Sequence, residues 1–181
     1  MASTTSYVAL LRGINVGGRN RVPMAELRDA LERAGHRSVR TYIQSGNVVF
    51  ETDAARGALE ADIEAVLEER FGFPIPVVVR SHRQMRAVVR SAPAGFGASD
   101  EHLDDVIFLK APLTPATLLR SLEPREGVDR CWSGTGVVYF SRLSEKKAQT
   151  RLTRIVSMPE YQLMTIRNWR TTTTLLAMLE E

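Results

Sequence analysis

Cysteine, histidine and lysine are scarce in this 181-residue sequence, and it contains no long apolar run. Cys131 is the only cysteine, so the chain cannot form an internal disulfide, which fits a reducing compartment. The longest apolar runs, such as residues 175–179, fall far short of the roughly 20 residues that span a bilayer. The first residues carry neither the basic start nor the apolar core of a signal peptide. These absences predict a cytoplasmic protein without a membrane partner.

The residues that most often perform catalysis or bind metals are scattered. His36, His82 and His102 are far apart and lack metal-ligand spacing, and there is no cysteine cluster. Cys131 falls in a predicted strand, where burial would disfavour a nucleophilic thiolate. Ser45 has no evident histidine or lysine partner. The sequence therefore predicts no metal site and no cofactor, identifies no catalytic residue, and leaves open whether the protein is an enzyme.

Arginine supplies most of the positive charge, because only three of the 24 basic residues are lysine. The net charge of the chain is +3. The apolar fraction of 44% and the charged fraction of 25% are ordinary for a globular protein. Basic residues cluster in segments 12–40, 80–90 and 142–170. Because arginine binds phosphate and carboxylate bidentately, such clusters can mark an anion site. The alternative is that these arginines only cover solvated surface.

Hydrophobic periodicity and turn residues predict an α+β fold. A buried strand precedes a helix that opens at Pro23 and stops at Gly35. Two β-rich runs flank Ser45-Gly46 as a hairpin, and an acidic helix and another strand follow. This order is that of a ferredoxin-like βαββαβ unit. The predicted elements are residues 7–12, 23–34, 39–44, 47–52, 59–67 and 77–80.

The rest of the chain repeats the same order after a crossover. We predict tandem ferredoxin-like βαββαβ halves with antiparallel sheets: residues 1–80 and residues 103–181, the latter with a C-terminal helix, joined by a helical crossover and linker at 81–102. Within the second half, Leu152, Ile155 and Val156 predict a helix that ends near Pro159. The competing topology is one continuous mixed sheet with helices on one side.

The segment RGINVGGRN, residues 12–20, is the most informative one. It lies between a predicted strand and a predicted helix, where glycines let backbone N–H groups approach a ligand and a helix N-terminus favours an anion. It matches neither common phosphate-loop motif. The alternative is that its glycines only supply positive φ in an irregular connection. The candidate ligand-binding residues here are Arg12, Gly13, Asn15, Gly17, Gly18 and Asn20.

The hairpin sequence TYIQSGN, residues 41–47, is a second candidate. Ser45 and Asn47 can hydrogen-bond a partner but offer no base or strong nucleophile. We expect this hairpin tip at the end of the sheet opposite the exit of the first strand, remote from the glycine-rich loop. The alternative is plain turn chemistry.

The third candidate is the junction between the last predicted strand and the C-terminal helix. A threonine side chain can cap that helix and leave backbone N–H groups for an anion. Arginine and tryptophan here suit phosphate contact and stacking. The alternative is a capped helix with its tryptophan used in packing. The candidate residues are Asn168, Trp169, Arg170 and Thr171.

Two stretches of the sequence, residues 7–50 and 167–176, resemble the uncharacterised bacterial family called domain of unknown function 1697. The resemblance covers nearly the whole chain and implies two ferredoxin-like α+β halves, but it implies no activity. The family pattern matches here at Arg12, Gly13, Asn15, Gly17, Tyr42, Ser45, Gly46, Asn47, Asn168, Trp169 and Arg170.

These observations favour a binding protein for a phosphate-bearing ligand: a nucleotide, a single-stranded nucleic acid or a phosphorylated metabolite. Ferredoxin-like sheets with surface aromatics can stack bases, but this chain lacks the pair of aromatic-rich strand motifs by which such RNA-binding sheets are recognised. Two alternatives stay open: a protein-interaction or self-assembly module, and an enzyme acting on a small anionic metabolite. The oligomeric state is not predicted.

Overall fold

The chain folds into two units, and each contains one four-stranded antiparallel sheet. The computed structural model describes residues 4–181. The first unit comprises residues 4–85 and 175–181, and the second comprises residues 86–174. The α+β class with two antiparallel sheets is confirmed, and the alternative of one continuous sheet is wrong. The predicted domain limits at residues 80 and 103 remain a prediction.

The first unit follows the predicted order of strands and helices. The elements are β1 (Thr5–Leu11), α1 (Met24–Arg33), β2 (Arg37–Tyr42), β3 (Asn47–Thr52), a 3₁₀ turn (Arg56–Ala58), α2 (Leu59–Phe71) and β4 (Val77–Ser81), after which α3 (His82–Arg90) begins. The sheet has the strand order β2-β3-β1-β4, so β1 lies in the interior between β3 and β4.

One face of this sheet forms a hydrophobic core with α1 and α2. The helical spacing of apolar residues gives each helix a buried stripe, and alternation along the strands directs every second side chain to the same face. The opposite face is buried as well, since Val8 and Leu10 have no exposed surface. Fully buried core residues include Ala9, Leu11, Leu27, Leu31, Val48, Phe50, Leu59, Ile63, Leu67 and Val77.

The outer edge of β4 is closed by side chains of α2. The backbone N–H of Val77 donates to Glu64 Oε1 at 2.8 Å, and that of Val79 donates to Glu60 Oε1 at 2.9 Å. Unpaired edge amides are sites where another strand can add to a sheet. The two glutamates therefore protect this edge from pairing with another chain.

The second unit has the equivalent strand order β6-β7-β5-β8. Its core face combines strand residues such as Ile107 and Phe140 with Leu118 and Leu122 of its helix. The elements are β5 (His102–Leu109), α4 (Pro115–Leu122), β6 (Asp129–Ser133), β7 (Val137–Leu143), three 3₁₀ segments (Ser144–Gln149, Leu152–Ser157 and Pro159–Leu163), β8 (Met164–Asn168) and the start of α5 (Trp169–Glu180).

The α-helix predicted around residues 152–156 is wrong, because this segment is a six-residue 3₁₀ helix. Pro159 disfavours helical backbone in the preceding residue, and Met158 is accordingly extended with φ −77° and ψ 141°. Thr150 is extended on the other side, so too few residues remain for an α-helix. Leu152 and Ile155 are buried as predicted, whereas Val156 is 61% exposed.

The other face of the second sheet is covered within its own unit. Phe96 packs edge-on against Trp132, Tyr139 and Trp169, with ring centroids 6.2, 5.5 and 5.1 Å away. The Tyr139 hydroxyl donates to the backbone carbonyl of Val88 at 2.6 Å. The aromatic side chains on this face therefore pack against one another within the unit. Among residues 4–181, no helix is both long and apolar enough to cross a membrane.

Candidate functional site

The glycine-rich loop after β1 folds into a miniature hairpin. Asn15 N donates to Asn20 O, and Arg19 N donates to Val16 O, both at 3.0 Å. The two central residues, Gly17 and Gly18, have φ angles of 57° and 74°. Two positive φ angles in this position define the primed turn that glycine favours. The loop is thus an ordered turn with a glycine tip rather than an irregular connection.

The side chain of Asn15 holds this hairpin in place. Its Oδ1 accepts the backbone N–H of Val22 at 2.8 Å, and its Nδ2 donates to Val22 O at 3.0 Å and to Gln44 O at 2.8 Å. A second asparagine, Asn20, donates to Gly13 O at 2.9 Å. Both asparagines adopt positive φ, which their short polar side chains tolerate. These amides therefore have a structural role, and their role in ligand binding stays a prediction.

The turn between β2 and β3 lies beside this loop, and the expectation that it sits at the opposite end of the sheet is wrong. β1 and β2 are both antiparallel to β3, so they run in the same direction and their C-terminal residues lie at the same end of the sheet. The backbone N–H of Leu11 donates to Gly46 O at 2.8 Å. The two candidate segments of the first unit therefore form one surface.

Local packing explains why this turn contains glycine and asparagine. A Cβ on Gly46 would lie 2.7 Å from Ile14 Cδ1 and 2.8 Å from Leu11 Cβ, and its φ is 88°. Asn47 is fully buried, and its Nδ2 donates to Tyr42 O at 2.9 Å and to Ser45 Oγ at 3.0 Å. Like Asn15, Asn47 shapes the turn from inside, whereas Ser45 stays exposed.

We call the surface formed by residues 12–21 and 42–47 the basic loop end. Arg19 and Arg21 are exposed, Arg12 is half-buried, and neither segment contains an aspartate or glutamate. Gly17 and Gly18 are exposed at the turn tip. This surface presents cationic side chains and accessible backbone, which is suited to holding an anion.

Two exposed apolar residues of the basic loop end were missed by the sequence analysis. Val16 is 67% exposed and Ile43 is 50% exposed. Ile43 also has a φ of 49°, which is strained for a β-branched residue. Such strain tends to persist where function requires it. Both are single apolar residues inside turn sequences, and this pattern in the sequence could have indicated that their side chains are exposed.

The third candidate segment belongs to the second unit. The N-terminus of α5 is capped by Asn168, whose Oδ1 accepts the backbone N–H of Thr171 at 2.8 Å. The expectation that a threonine caps the helix is wrong, because the Thr172 and Thr174 hydroxyls donate instead to carbonyls four residues earlier. The backbone N–H of Thr171 is therefore used in the cap. The group that this segment can offer to an anion is the exposed Arg170 side chain.

Trp169 is a packing residue in this unit. Its indole meets Phe96 edge-on, and a Cβ on Gly97 would lie 1.9 Å from its Cδ1 atom. Gly97 N donates to Asp104 Oδ2 at 2.6 Å, which fixes the residue 96–97 turn against the indole. These contacts favour the alternative in which Trp169 packs within the unit.

The titratable groups of the second unit give little support for nucleophilic chemistry. Burial, and then the Asp129 carboxylate, raise the pKa of the Cys131 thiol, which keeps it protonated. Burial lowers the pKa of the Arg167 guanidinium to about 10. In the part of the chain that the structure describes, no group of three or more histidine, cysteine, aspartate or glutamate side chains is arranged to hold a metal ion.

The fold and site define a two-sheet α+β protein with an ordered, arginine-bearing surface at one end of its first sheet. The chain belongs to the family described as "Protein of unknown function (DUF1697)", whose model matches residues 4–139. No curated protein matches it.

One solved structure is similar over the full length: "conserved bacterial protein SP0830 from Streptococcus pneumoniae". It is 27% identical with a TM-score of 0.87, and the match covers 98% of this chain and 99% of that chain. An "Unknown Protein from Galdieria sulphuraria" is 13% identical, over 92% of this chain and 98% of that one, with a TM-score of 0.29 that is too low to carry an argument. The full-length similarity supports one shared architecture for this chain and the streptococcal protein.

Proposed function

We propose that the protein binds a phosphate-bearing ligand at the basic loop end of its first unit. The observation that carries this proposal is the absence of any acidic residue from segments 12–21 and 42–47, which contain Arg12, Arg19 and Arg21. Arginine forms bidentate, charge-assisted hydrogen bonds with phosphate oxygens. Exposed arginines on segments without acidic residues therefore attract a phosphate.

The order of the basic loop end supports a binding role. The side chains of Asn15 and Asn47 hold its two turns through five hydrogen bonds of 2.8 to 3.0 Å. A surface that is already ordered loses less conformational entropy when a ligand binds. The turn amides are used in these hydrogen bonds, so the exposed Arg19 and Arg21 are the side chains that we expect to contact the ligand.

The exposure of the surface favours an extended ligand. Residues 16–20 are all exposed, including the glycine tip, which suits a nucleic-acid backbone that tracks over a surface. Tyr7 and Tyr139 of the two sheets are buried, so we expect phosphate contacts rather than base stacking to dominate. We therefore propose single-stranded nucleic acid as the ligand, bound mainly through its phosphates and with little sequence preference.

The test is fluorescence anisotropy with a labelled single-stranded oligonucleotide at two salt concentrations. We expect saturable binding. The logarithm of the association constant should fall with the logarithm of the salt concentration, with a slope of about −0.7 for each neutralised phosphate. The Arg19→Gln, Arg21→Gln double variant should bind at least about tenfold more weakly, a change of about 1.4 kcal/mol.

A matched control removes two exposed arginines from α1 of the same unit. The Arg28→Gln, Arg33→Gln double variant loses the same net charge while leaving the basic loop end unchanged. Equal losses in the two double variants would reduce the effect to net charge and would contradict the proposal. Binding that is insensitive to salt would contradict it as well.

A protein-interaction module is the second candidate, and the exposed Val16 and Ile43 favour it. Apolar side chains on ordered, strained turns are typical of contact residues at interfaces. The Val16→Ser, Ile43→Ser variant separates the two candidates. Loss of self-association in sedimentation experiments, with oligonucleotide binding retained, would favour the interaction module.

We also infer that both units are ferredoxin-like, and that the protein is cytoplasmic. The strand orders β2-β3-β1-β4 and β6-β7-β5-β8 support the topology, although 3₁₀ segments replace the second helix of the second unit. The single cysteine supports the location. Cell fractionation, with the protein recovered in the cytoplasmic fraction, is the check on that location.

A further inference from the structure

A cavity of about 340 Å³ opens in the second unit at the end of its sheet, beside the 3₁₀ segments. Its walls are apolar and include Leu103, Tyr161 and Ile166, with Val156 exposed at 61%. Arg142 and Lys147 also line it. The cavity is separate from the basic loop end, which belongs to the first unit.

The cavity exists because the core face of this sheet is only partly covered. In the first unit the 13-residue helix α2 covers the core face, and its Leu59, Ile63 and Leu67 are at most 1% exposed. The corresponding part of the second unit is the 3₁₀ segment Leu152–Ser157, whose Leu152 is 8% exposed. A short 3₁₀ segment cannot present a full apolar stripe. Apolar surface is therefore left open between this segment and the sheet.

The charged side chains that line the cavity, Arg142 and Lys147, are both basic. Arg142 forms an ion pair with Asp105, so that pair contributes little net charge. Within residues 4–181, no ion pair or hydrogen bond engages the Lys147 ammonium, and no acidic residue is among those that line the cavity. An anionic group at this position would be attracted to Lys147, while the nearby Asp105 carboxylate is already paired with Arg142.

The wall that carries Lys147 is held by a buried carboxylate. Asp129 is 6% exposed. Its Oδ1 accepts the Thr150 hydroxyl at 2.6 Å, and its Oδ2 accepts the backbone N–H of Arg151 at 2.9 Å and that of Arg125 at 3.0 Å. The 3₁₀ segments on either side of residues 150–151 are thereby fixed to β6. The cavity is part of the folded unit rather than a gap between mobile loops.

We propose that this cavity binds a small amphiphilic anion, namely a carboxylate carried on one aromatic ring or a short branched chain. The apolar walls take the ring or chain, Tyr161 provides an aromatic contact, and Lys147 pairs with the carboxylate. Ligand cavities in proteins start at about 300 Å³, so a volume of this size fits one ring and its substituent rather than a nucleotide. The proposal does not depend on the function of the basic loop end.

The test uses phenylacetate as the probe and the full-length protein, with binding followed by changes in backbone amide NMR signals. A ligand of about ten non-hydrogen atoms is expected to bind with a dissociation constant of roughly millimolar or lower. Signals of residues 153–156 should shift in a saturable way. Phenylacetamide, which has nearly the same shape but no charge, should bind at least about tenfold more weakly if Lys147 pairs with the carboxylate.

Two variants test the cavity itself. Val156→Glu introduces a carboxylate at an exposed wall position and should abolish phenylacetate binding. Lys147→Gln should weaken it about tenfold, whereas Lys146→Gln, at the adjacent lysine that does not line the cavity, should not. Because these positions carry exposed or partly exposed side chains, unchanged amide spectra in regions distant from the cavity will verify that the variants are folded.

Three results would overturn the proposal. The first is no saturable shift with phenylacetate up to about ten times the expected dissociation constant. The second is equal binding of phenylacetate and phenylacetamide, or equal effects of the Lys146 and Lys147 substitutions. The third is self-association that Val156→Glu abolishes while phenylacetate fails to compete, which would assign the apolar walls to a second copy of the chain.

Discussion

The Asn15 side chain joins two loops that are 29 residues apart, because its Nδ2 atom donates to the backbone carbonyl of Gln44 at 2.8 Å. The same side chain also pairs with both backbone groups of Val22. One amide thus fixes the glycine-rich loop both to the start of α1 and to the turn between β2 and β3. The ordered geometry of the basic loop end depends on this residue.

Replacing Asn15 with alanine should therefore cost more stability than the same change at Asn20. Asn15→Ala removes three hydrogen bonds, and at about 1 kcal/mol each the expected loss is about 3 kcal/mol. Asn20→Ala removes the single bond to Gly13 O, and the expected loss is about 1 kcal/mol. Both residues have φ near 50°, so the backbone cost of alanine is common to the two variants. Urea unfolding measures the difference, and equal losses would contradict the role assigned to Asn15.

The glycine tip of the small hairpin predicts unequal losses of stability for two substitutions at Gly17. Asparagine tolerates a φ of 57°, and Asn-Gly is a favoured pair in this turn type, so Gly17→Asn should change stability little. Gly17→Val forces a β-branched residue into the left-handed region and should cost about 1–2 kcal/mol. No atom lies within 4 Å of a Cβ built there, so any difference reports backbone conformation rather than a clash. Equal thermal midpoints for the two variants would refute the turn assignment.

Local signals in the sequence predicted most of the elements. The Pro23 start and Gly35 stop of α1, and the Ser45-Gly46 turn, depend on backbone preferences of single residues, so they were predictable. The position of that turn was not, because it depends on the direction of β2 relative to β1, which only the complete strand order determines. The 3₁₀ conformation of residues 152–157 was also not predicted, since the apolar spacing there favoured an α-helix.

The candidate residues divide in the same way. Of the two candidate arginines, Arg170 is exposed, whereas Arg12 is half-buried. The asparagines were expected to face a ligand, yet Asn15 and Asn168 satisfy backbone groups inside the protein. A side-chain amide serves either purpose equally well, and only the three-dimensional positions of the neighbouring backbone groups distinguish them.

Gly97 and Gly95 provide a matched pair for testing the packing of Trp169. Both glycines have positive φ, 74° and 79°, but a Cβ on Gly95 meets open space, whereas one on Gly97 would lie 1.9 Å from Trp169 Cδ1. Gly95→Ala should cost about 1 kcal/mol through backbone strain alone. Gly97→Ala adds overpacking against a rigid indole, so its total cost should be about 3 kcal/mol.

Two measurements check this packing prediction. Urea unfolding gives the cost of each substitution, and near-ultraviolet circular dichroism reports the environment of the indole. The Gly97→Ala variant should change the tryptophan bands, and the Gly95→Ala variant should not. Identical spectra and identical unfolding costs for both variants would contradict the close contact between Gly97 and Trp169.

His36 should make the first unit less stable at mildly acidic pH. Its ring packs against Phe50 with centroids 4.8 Å apart, and its Nδ1 atom is buried without a hydrogen-bond partner among the described residues. Burial lowers the pKa of this histidine from its ordinary value of 6.5, while the nearby Asp62 carboxylate raises it by a smaller amount. The folded protein therefore binds a proton less readily than the unfolded chain.

The direction of the pH dependence follows from that difference in pKa. Above about pH 6.5 the histidine is neutral in both states, and its contribution to stability is fully present. As the pH falls below that value, the unfolded chain is protonated first, so stability decreases until the folded histidine is protonated as well. The measurement is the urea midpoint between pH 5 and pH 8, for the wild type, for His36→Gln and for His102→Gln in the second unit. The decline should be smaller in His36→Gln and unchanged in His102→Gln, and a decline that persists in full without His36 would assign the acid sensitivity to other groups.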